Sequence, residues 1–99
     1  MTQTTSAAGE PHPKFWTGGL LFAPPILAEV PEEDLLRAFA RHQSGDWGDL
    51  CDEDIAANEV AIEHGGRLFS AYHDRNGVKF WIITDADRSA TTLLLPKAN

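Results

Sequence analysis

The fold of this chain is decided by residues 67–84, RLFSAYHDRNGVKFWIIT. Two runs of aromatic and aliphatic residues, 67–73 and 78–84, flank the polar segment 74–77. Asn-Gly within that segment is the strongest short-range signal for a β-hairpin, because both residue types tolerate positive φ. A loop made of Asn76 and Gly77 therefore predicts two antiparallel strands.

That loop also sets the register of the predicted hairpin. Tyr72 would face Trp81, an aromatic pair, and Asp74 would face Lys79, an acid–base pair, and both are favourable across strands. Side chains alternate between the two faces of a sheet. One face, expected to be the one that helices cover, then carries Phe69, Ala71, Phe80 and Ile82.

The segments on either side of the hairpin complete the predicted sheet. A turn at 85–89 and the run Ala90–Leu95, closed by Pro96, predict a third antiparallel strand. Residues 15–23 are apolar and aromatic and are expected to form an arm or a short strand. Pro24-Pro25 excludes a regular central strand at that point.

A first helix is predicted at about 31–43. Pro31 suits the first helical position, and the acids that follow suit the positive end of the helix dipole. Apolar residues then recur at helical spacing, with Leu35, Ala38 and His42 on one face.

Asp49 or Asp52 is predicted to cap a second helix, which is expected to end at Gly65-Gly66. With both helices ahead of the strands, the predicted fold class is α+β. The helices are expected to pack on one face of a three-stranded antiparallel meander.

Length and composition indicate one small domain. The 99 residues are 42% apolar, as in an ordinary globular protein. Residues 1–14 are rich in small and polar residues and are predicted to be a disordered tail, which leaves 15–99 as the domain. The single cysteine, Cys51, excludes an internal disulfide and fits a cytoplasmic protein. No apolar run reaches the roughly 18 residues of a membrane helix.

Negative charge is concentrated in one part of the chain. The formal net charge is −7, but residues 29–63 hold eleven acids and two bases, whereas residues 64–99 carry a net charge of +2. Direct nucleic-acid binding is not expected, because it draws on lysine and arginine. The acids either keep a small protein soluble or attract a protein partner with a basic surface.

The linker between the predicted helices, residues 42–54 (HQSGDWGDLCDED), has an unusual composition. It holds two glycines, one tryptophan and five carboxylates. Trp47 either plugs the edge of the core or anchors a partner, since tryptophan is a common interface hot spot. The predicted partner-binding residues are Asp46, Trp47, Asp49, Asp52, Glu53 and Asp54.

His42 raises the question of catalysis. It is either a structural residue with a hydrogen-bonded ring or a general acid–base, since histidine titrates near neutrality. An enzyme would need polar groups to converge, and the candidate catalytic residues are His42, Asp46, Arg67, Tyr72 and Arg88. The possible ligands lack the spacing of a metal motif, so neither a metal nor another cofactor is expected.

Helices ahead of an antiparallel sheet resemble the order of elements in small ribonucleases of the RelE and barnase type. That resemblance implies a nuclease or another hydrolase that uses His42 and Arg88. The negative charge of the chain argues against RNA as a substrate.

A second resemblance covers residues 40–96. It is carried by 42–48 (HQSGDWG), Glu53-Asp54 with Asn58 and Ala61, Arg67-Leu68 with Ser70 and Tyr72, 81–92 (WIITDADRSATT) and 94–96 (LLP). In these segments the chain resembles a family of small proteins carried on plasmids, phages and integrative elements. The resemblance implies a mobile-element setting and brings no activity with it.

Together these features predict a small acidic accessory protein of a mobile element, and an enzyme is disfavoured. Its acidic helical face, centred on residues 45–54, would bind a host protein such as a nucleic-acid-binding defence component. Occupying the basic surface of that protein would inhibit it. A structural or regulatory homodimer, formed through a free edge strand, is the third alternative.

Overall fold

A computed structural model describes residues 13–96, and within this range three helices and four strands form an α+β fold, as predicted. The elements in chain order are β1 Gly19–Phe22, α1 Ile26–Glu29, α2 Glu32–Gln43, α3 Asp52–His64, β2 Leu68–His73, β3 Lys79–Thr84 and β4 Ala90–Leu94. None of these helices is long and apolar enough to cross a membrane.

The sheet has one strand more than the predicted meander. β2, β3 and β4 are antiparallel neighbours, as expected, but β1 lies parallel to β4 and gives the order β1-β4-β3-β2. Gly19 pairs with Ala90, so the partner of this strand is far away in the sequence and no local pattern signals the pairing. The Thr91 hydroxyl donates to the Thr17 carbonyl at 2.7 Å and fixes the chain just ahead of β1.

The loop of the β2–β3 hairpin is one residue longer than predicted. The Asp74 N–H donates to the Val78 carbonyl at 3.0 Å, so residues 75–77 form the loop, and its last residue is a glycine with φ 84°. Three-residue loops that end in a left-handed glycine are a common alternative to two-residue loops. The Asp74 side chain favours this one, because its Oδ1 accepts 2.8 Å hydrogen bonds from the N–H groups of Asn76 and Val78.

The predicted strand register is therefore wrong by one residue, and such a slip moves every side chain of one strand to the other face. The predicted shared face does not form, because Phe69 and Ala71 are separated from Phe80 and Ile82. The inner face, which the helices cover, instead carries buried residues from three strands: Leu68, Ser70, Tyr72, Phe80, Ile82, Thr84, Thr91 and Leu93.

Helix α2 begins within one residue of its predicted start and packs on the inner face. Together with α1 it buries Ile26, Val30, Leu35 and Ala38 against Tyr72, Phe80, Ile82 and Leu93. In its first turn the buried Asp34 carboxylate accepts 3.0 Å hydrogen bonds from the Nε and the backbone N–H of Arg75, which attach the helix to the hairpin loop. These donors hold the pKa of Asp34 well below its usual range.

The edge of β2 is closed by two different arrangements. The Asn58 amide of α3 donates to the Phe69 carbonyl at 2.7 Å and accepts from the Phe69 N–H at 3.1 Å, as a neighbouring strand would. Gly48 forms a parallel β-bridge with Ala71, whose N–H and carbonyl bond to backbone groups on either side of Gly48 at 3.2 and 2.8 Å. Both arrangements occupy backbone groups that an open edge strand would present to another chain.

Asn58→Ala should lower the free energy of unfolding by about 1–3 kcal/mol. The change leaves the N–H and carbonyl of Phe69 without their amide partner, although alanine itself favours the helix. Urea denaturation measures the loss, and amide hydrogen exchange at Phe69 should become faster. An unchanged exchange rate at Phe69 would contradict the edge-capping role of Asn58.

The opposite face of the sheet, here the outer face, is far less buried. Apart from the buried Ala71, its side chains are half-buried or exposed, and Leu21 is 53% exposed. The outer face carries the pair His73 and Lys79 next to the hairpin loop and otherwise Leu21, Phe69, Trp81, Ile83, Thr92 and Leu94. It is therefore a largely apolar surface.

The predicted tail falls almost entirely outside the described residues. Of residues 1–14, only Pro13 and Lys14 are described. The Lys14 N–H donates to the Gln43 carbonyl at 2.7 Å, which attaches this point of the chain to the end of α2. Residues 97–99 also lie outside the described range.

Candidate partner-binding surface

The segment that follows α2 is held by hydrogen bonds within the molecule. Gly45, with φ 86°, follows the end of the helix. The Asp46 carboxylate accepts hydrogen bonds from Arg41 Nε and Nη2 at 2.7 and 3.1 Å and from the Gly48 N–H at 3.2 Å. The Arg41 guanidinium lowers the pKa of Asp46. This carboxylate, predicted for both catalysis and partner binding, is thus neutralised internally.

Trp47 lies inside the molecule and is only 3% exposed. Its ring stacks on Phe15 with centroids 5.9 Å apart, and its Nε1–H donates to Glu59 Oε2 at 2.9 Å. With Ala61 and Leu68 it forms a second core cluster beneath α3. Of the two interpretations of Trp47, this position corresponds to the plug at the core edge, and its indole offers almost no surface to a partner.

His42 belongs to a buried chain of side-chain hydrogen bonds. Its Nδ1 lies 2.6 Å from Ser70 Oγ and its Nε2 lies 2.9 Å from Thr84 Oγ1. Thr84 Oγ1 lies 2.7 Å from Thr91 Oγ1, and the Thr91 hydroxyl donates to the Thr17 carbonyl. Each hydroxyl has one proton. Because the Thr91 proton goes to Thr17, Thr91 must accept from Thr84. The Thr84 proton is then used as well, so Thr84 accepts from His42 Nε2–H. Neutral His42 therefore carries its proton on Nε2 and accepts at Nδ1 from Ser70.

Burial lowers the pKa of His42 to about 4, so the imidazole is neutral at pH 7. The ring is fully buried, and its faces and edges contact Phe15 and Trp47 at centroid distances of 5.2 and 5.5 Å. A general acid–base must come within hydrogen-bond reach of a substrate proton. The position of His42 therefore corresponds to the structural alternative.

Arg88 is also used inside the molecule. Its Nη2 donates to the Ala61 carbonyl at 2.8 Å and its Nη1 to the Gly66 carbonyl at 2.6 Å, near the end of α3. Nη1 lies 3.1 Å from the carbonyls of Asp85 and Ala86 as well. The Ala61 carbonyl also accepts from the Gly65 N–H at 2.9 Å, so the guanidinium adds a second donor there and connects α3 to the turn before β4.

The five candidate catalytic residues do not assemble an open centre. Tyr72 is 2% exposed, its hydroxyl donates to the Asp46 carbonyl at 2.7 Å, and burial raises its pKa. Four of the five side chains are thus engaged within the protein. Asp46 is 51% exposed but paired with Arg41, and Arg67 lies exposed in the lining of a surface groove.

Among the predicted partner-binding carboxylates, those that remain available lie at the start of α3. Asp49 lies 2.6 Å from His73 Nδ1 and is partly engaged. Asp52, Glu53 and Asp54 fill the first turn of the helix and are exposed, and no ion pair engages them within residues 13–96. The positive end of the helix dipole stabilises their charges at this position.

A groove lies between the start of α3 and the outer face. Its floor is apolar, and Phe69 and Trp81 meet there edge to face with ring centroids 5.2 Å apart. The cavity has a volume of about 520 Å³. It is named the α3 groove and is lined by Asp54, Ala57, Asn58, Arg67, Phe69, Trp81 and Ile83.

The hairpin register explains why the sequence prediction missed the α3 groove. A two-residue loop would have separated Phe69 from Trp81 and Ile83, whereas the observed register pairs Phe69 with Ile83. The available signal was Asp74, because an aspartate three residues before a glycine stabilises the longer loop. A second apolar cavity of about 500 Å³ shares Trp81 and is lined by Ala23, Pro25, Trp81, Leu94, Leu95 and Pro96.

Metal ligands and similarity to known proteins were both considered for the site. Within residues 13–96, no three histidine, cysteine, aspartate or glutamate side chains are grouped so that they could hold a metal ion. The chain matches no protein-family model, no curated protein and no solved structure. The candidate site is the α3 groove, which has Asp54 in its lining and the exposed Asp52 and Glu53 in the same helical turn.

Proposed function

We propose that the protein is a protein-binding module and that its α3 groove takes a basic segment of a partner protein. The observation that carries the proposal is the Asp54 carboxylate in the lining of an open apolar groove, with Asp52 and Glu53 exposed in the same turn of α3. The floor would receive an aromatic or aliphatic anchor of the partner. The carboxylates would pair with lysine or arginine residues next to that anchor.

The charge of the surrounding surface favours this kind of partner. Residues 29–63 carry a net charge of −9, which attracts a basic surface and speeds its association. The same charge repels nucleic-acid phosphates. It also opposes a second copy at this groove, because two acidic helices would be brought together.

Nucleic-acid-binding proteins are the class of partner whose chemistry fits best, since their binding surfaces are rich in lysine and arginine. Bound there, this protein would act as an inhibitor that occupies the surface meant for DNA or RNA. Such a role agrees with the mobile-element setting that the sequence resemblance implies. Relative to the sequence prediction, the proposed site moves from residues 45–54 to Asp52–Asp54 and the adjoining sheet face.

Panning of a random peptide library displayed on phage tests this proposal. Peptides recovered on the wild-type protein should combine lysine or arginine with an aromatic or aliphatic residue. Their affinity should fall about tenfold when Asp52→Asn, Glu53→Gln and Asp54→Asn are combined, and it should weaken as salt is raised. Ile83→Thr keeps a β-branched residue in the strand but removes apolar surface from the floor of the groove. It should therefore weaken the binding of the same peptides.

The matched control is the combination Glu29→Gln, Glu32→Gln and Asp85→Asn. It removes the same amount of charge from exposed positions outside the α3 groove. Affinity should change less than about threefold in this control. Recovery of acidic peptides, or equal weakening by both combinations, would refute the proposed binding site.

A further inference from the structure

The two edges of the sheet differ in how their backbone groups are satisfied. The β2 edge is closed by the Asn58 amide and the Gly48 bridge. At the other edge, the N–H groups of Gly19 and Ala23 donate toward the β4 side at 3.0 and 2.9 Å. Because backbone groups alternate along a strand, those of Leu20 and Phe22 point away from β4. Within residues 13–96, no strand pairs with them.

The β1 strand itself carries none of the residues that protect many edge strands, although it is short and Pro24-Pro25 follow it closely. Soluble proteins use short strands, charges, prolines or bulges at such edges to prevent pairing with another chain. The strand reads Gly-Leu-Leu-Phe over residues 19–22 and has no charged side chain. Leu21 adds an exposed apolar side chain on the outer face.

We propose that β1 pairs with β1 of a second copy of this chain. A closed dimer has two-fold symmetry and uses the same surface on both copies, so the two strands run antiparallel. The two four-stranded sheets then form one continuous sheet of eight strands. The new hydrogen bonds join the outward N–H and carbonyl groups of Leu20 and Phe22 in the two copies.

The distribution of charge permits this pairing. The acidic helix α3 packs beside β2, at the opposite end of the strand order from β1. Residues 13–28 contain one charged side chain, Lys14, so the paired edges do not bring like charges together. Both α3 grooves remain open at the outer ends of the long sheet. The dimer would therefore present two copies of the groove to one partner, which raises avidity.

Sedimentation velocity and hydrogen exchange on the full chain test the dimer. Strand β1 has four residues, so we expect a concentration-dependent association over about 1 µM to 1 mM, with the mass rising from 10.9 kDa toward twice that value. Amides of Leu20 and Phe22 should become protected over the same range. A monomer at every concentration, or amides that are equally protected at low concentration, would overturn the proposal.

Two variants locate the interface. Leu21→Lys places a charge beside the paired strands at a position that is 53% exposed, and Val60→Lys places the same charge on α3 at a position that is 58% exposed. Leu21→Lys should weaken dimerisation at least about tenfold, whereas Val60→Lys should leave it unchanged, with circular dichroism confirming that both fold. Any other pattern would assign the contact to a different surface and overturn the pairing.

Discussion

Gly48→Ala should lower the free energy of unfolding by about 3 kcal/mol or more. Gly48 has φ 74°, and an added Cβ would lie 2.0 Å from the Ala71 carbonyl oxygen and under 3 Å from the Tyr72 ring. The linker would have to move away from β2, which breaks the backbone hydrogen bonds on both sides of the bridge. The displacement would also disturb the packing of the adjacent Trp47. Urea denaturation at pH 7 measures the effect.

Gly65→Ala provides the matched control for this substitution. Gly65 also has a positive φ, 86° with ψ 152°, but an added Cβ meets no atom within 4 Å. Its cost should be limited to the conformational penalty of about 1–3 kcal/mol. Equal losses in the two variants would mean that the close approach to Ala71 does not determine the residue at position 48.

The two long helices, α2 and α3, could be predicted from the sequence because their signals are local, whereas the four-residue α1 was not predicted. Pro31 and the acids that follow mark the start of α2, and Leu35, Ala38 and His42 repeat at helical spacing on its buried face. Gly65 marks the end of α3. Each of these signals depends on residues only a few positions apart, and tertiary packing does not override them.

The prediction of the strand register was wrong because the same residues can form a two-residue or a three-residue loop, and the Asp74 side chain stabilises the longer one. Asn76-Gly77 fits a two-residue loop, but the Asp74 carboxylate binds two N–H groups of the longer one. The resulting slip exchanges the faces of β2 relative to β3. Phe69 therefore lies with Trp81 on the outer face. An error of one residue in the predicted loop length was enough to miss the floor of the α3 groove.

The remaining features depend on contacts between distant segments. The β1–β4 pairing and the Asn58–Phe69 hydrogen bonds join positions that no periodicity connects. The composition of the linker, residues 42–54, has two separate origins in the structure. Trp47 and Gly48 close the core and the sheet edge, while the carboxylates that follow stay exposed. In this segment the residues before Asp49 stabilise the fold, and the carboxylates after it lie on the surface.

Stability should fall as the pH is lowered from about 6.5 to about 4, because of His42. Its pKa is about 4 in the folded protein, against 6.5 for an unperturbed histidine. Between these values the unfolded chain binds a proton that the folded protein excludes, so acid favours unfolding. The contribution is fully present above pH 6.5 and lost below pH 4, and it amounts to about 3 kcal/mol. Urea denaturation at a series of pH values measures it.

His42→Gln should remove this part of the pH dependence, since glutamine offers an acceptor to Ser70 and a donor to Thr84 but does not titrate. His64→Gln is the control, because His64 is exposed at the end of α3 and its loss should leave the slope unchanged. The ring nitrogen chemical shifts should also report a neutral His42 with its proton on Nε2 at pH 5. A His42 that titrates near pH 6.5, or a slope just below pH 6.5 that persists in His42→Gln, would contradict the closed hydrogen-bond chain, since the carboxylates with lowered pKa values contribute only nearer pH 4. Only a ring sealed between α2 and the sheet resists protonation over this range, so the same measurement tests whether His42 is structural or accessible to a substrate.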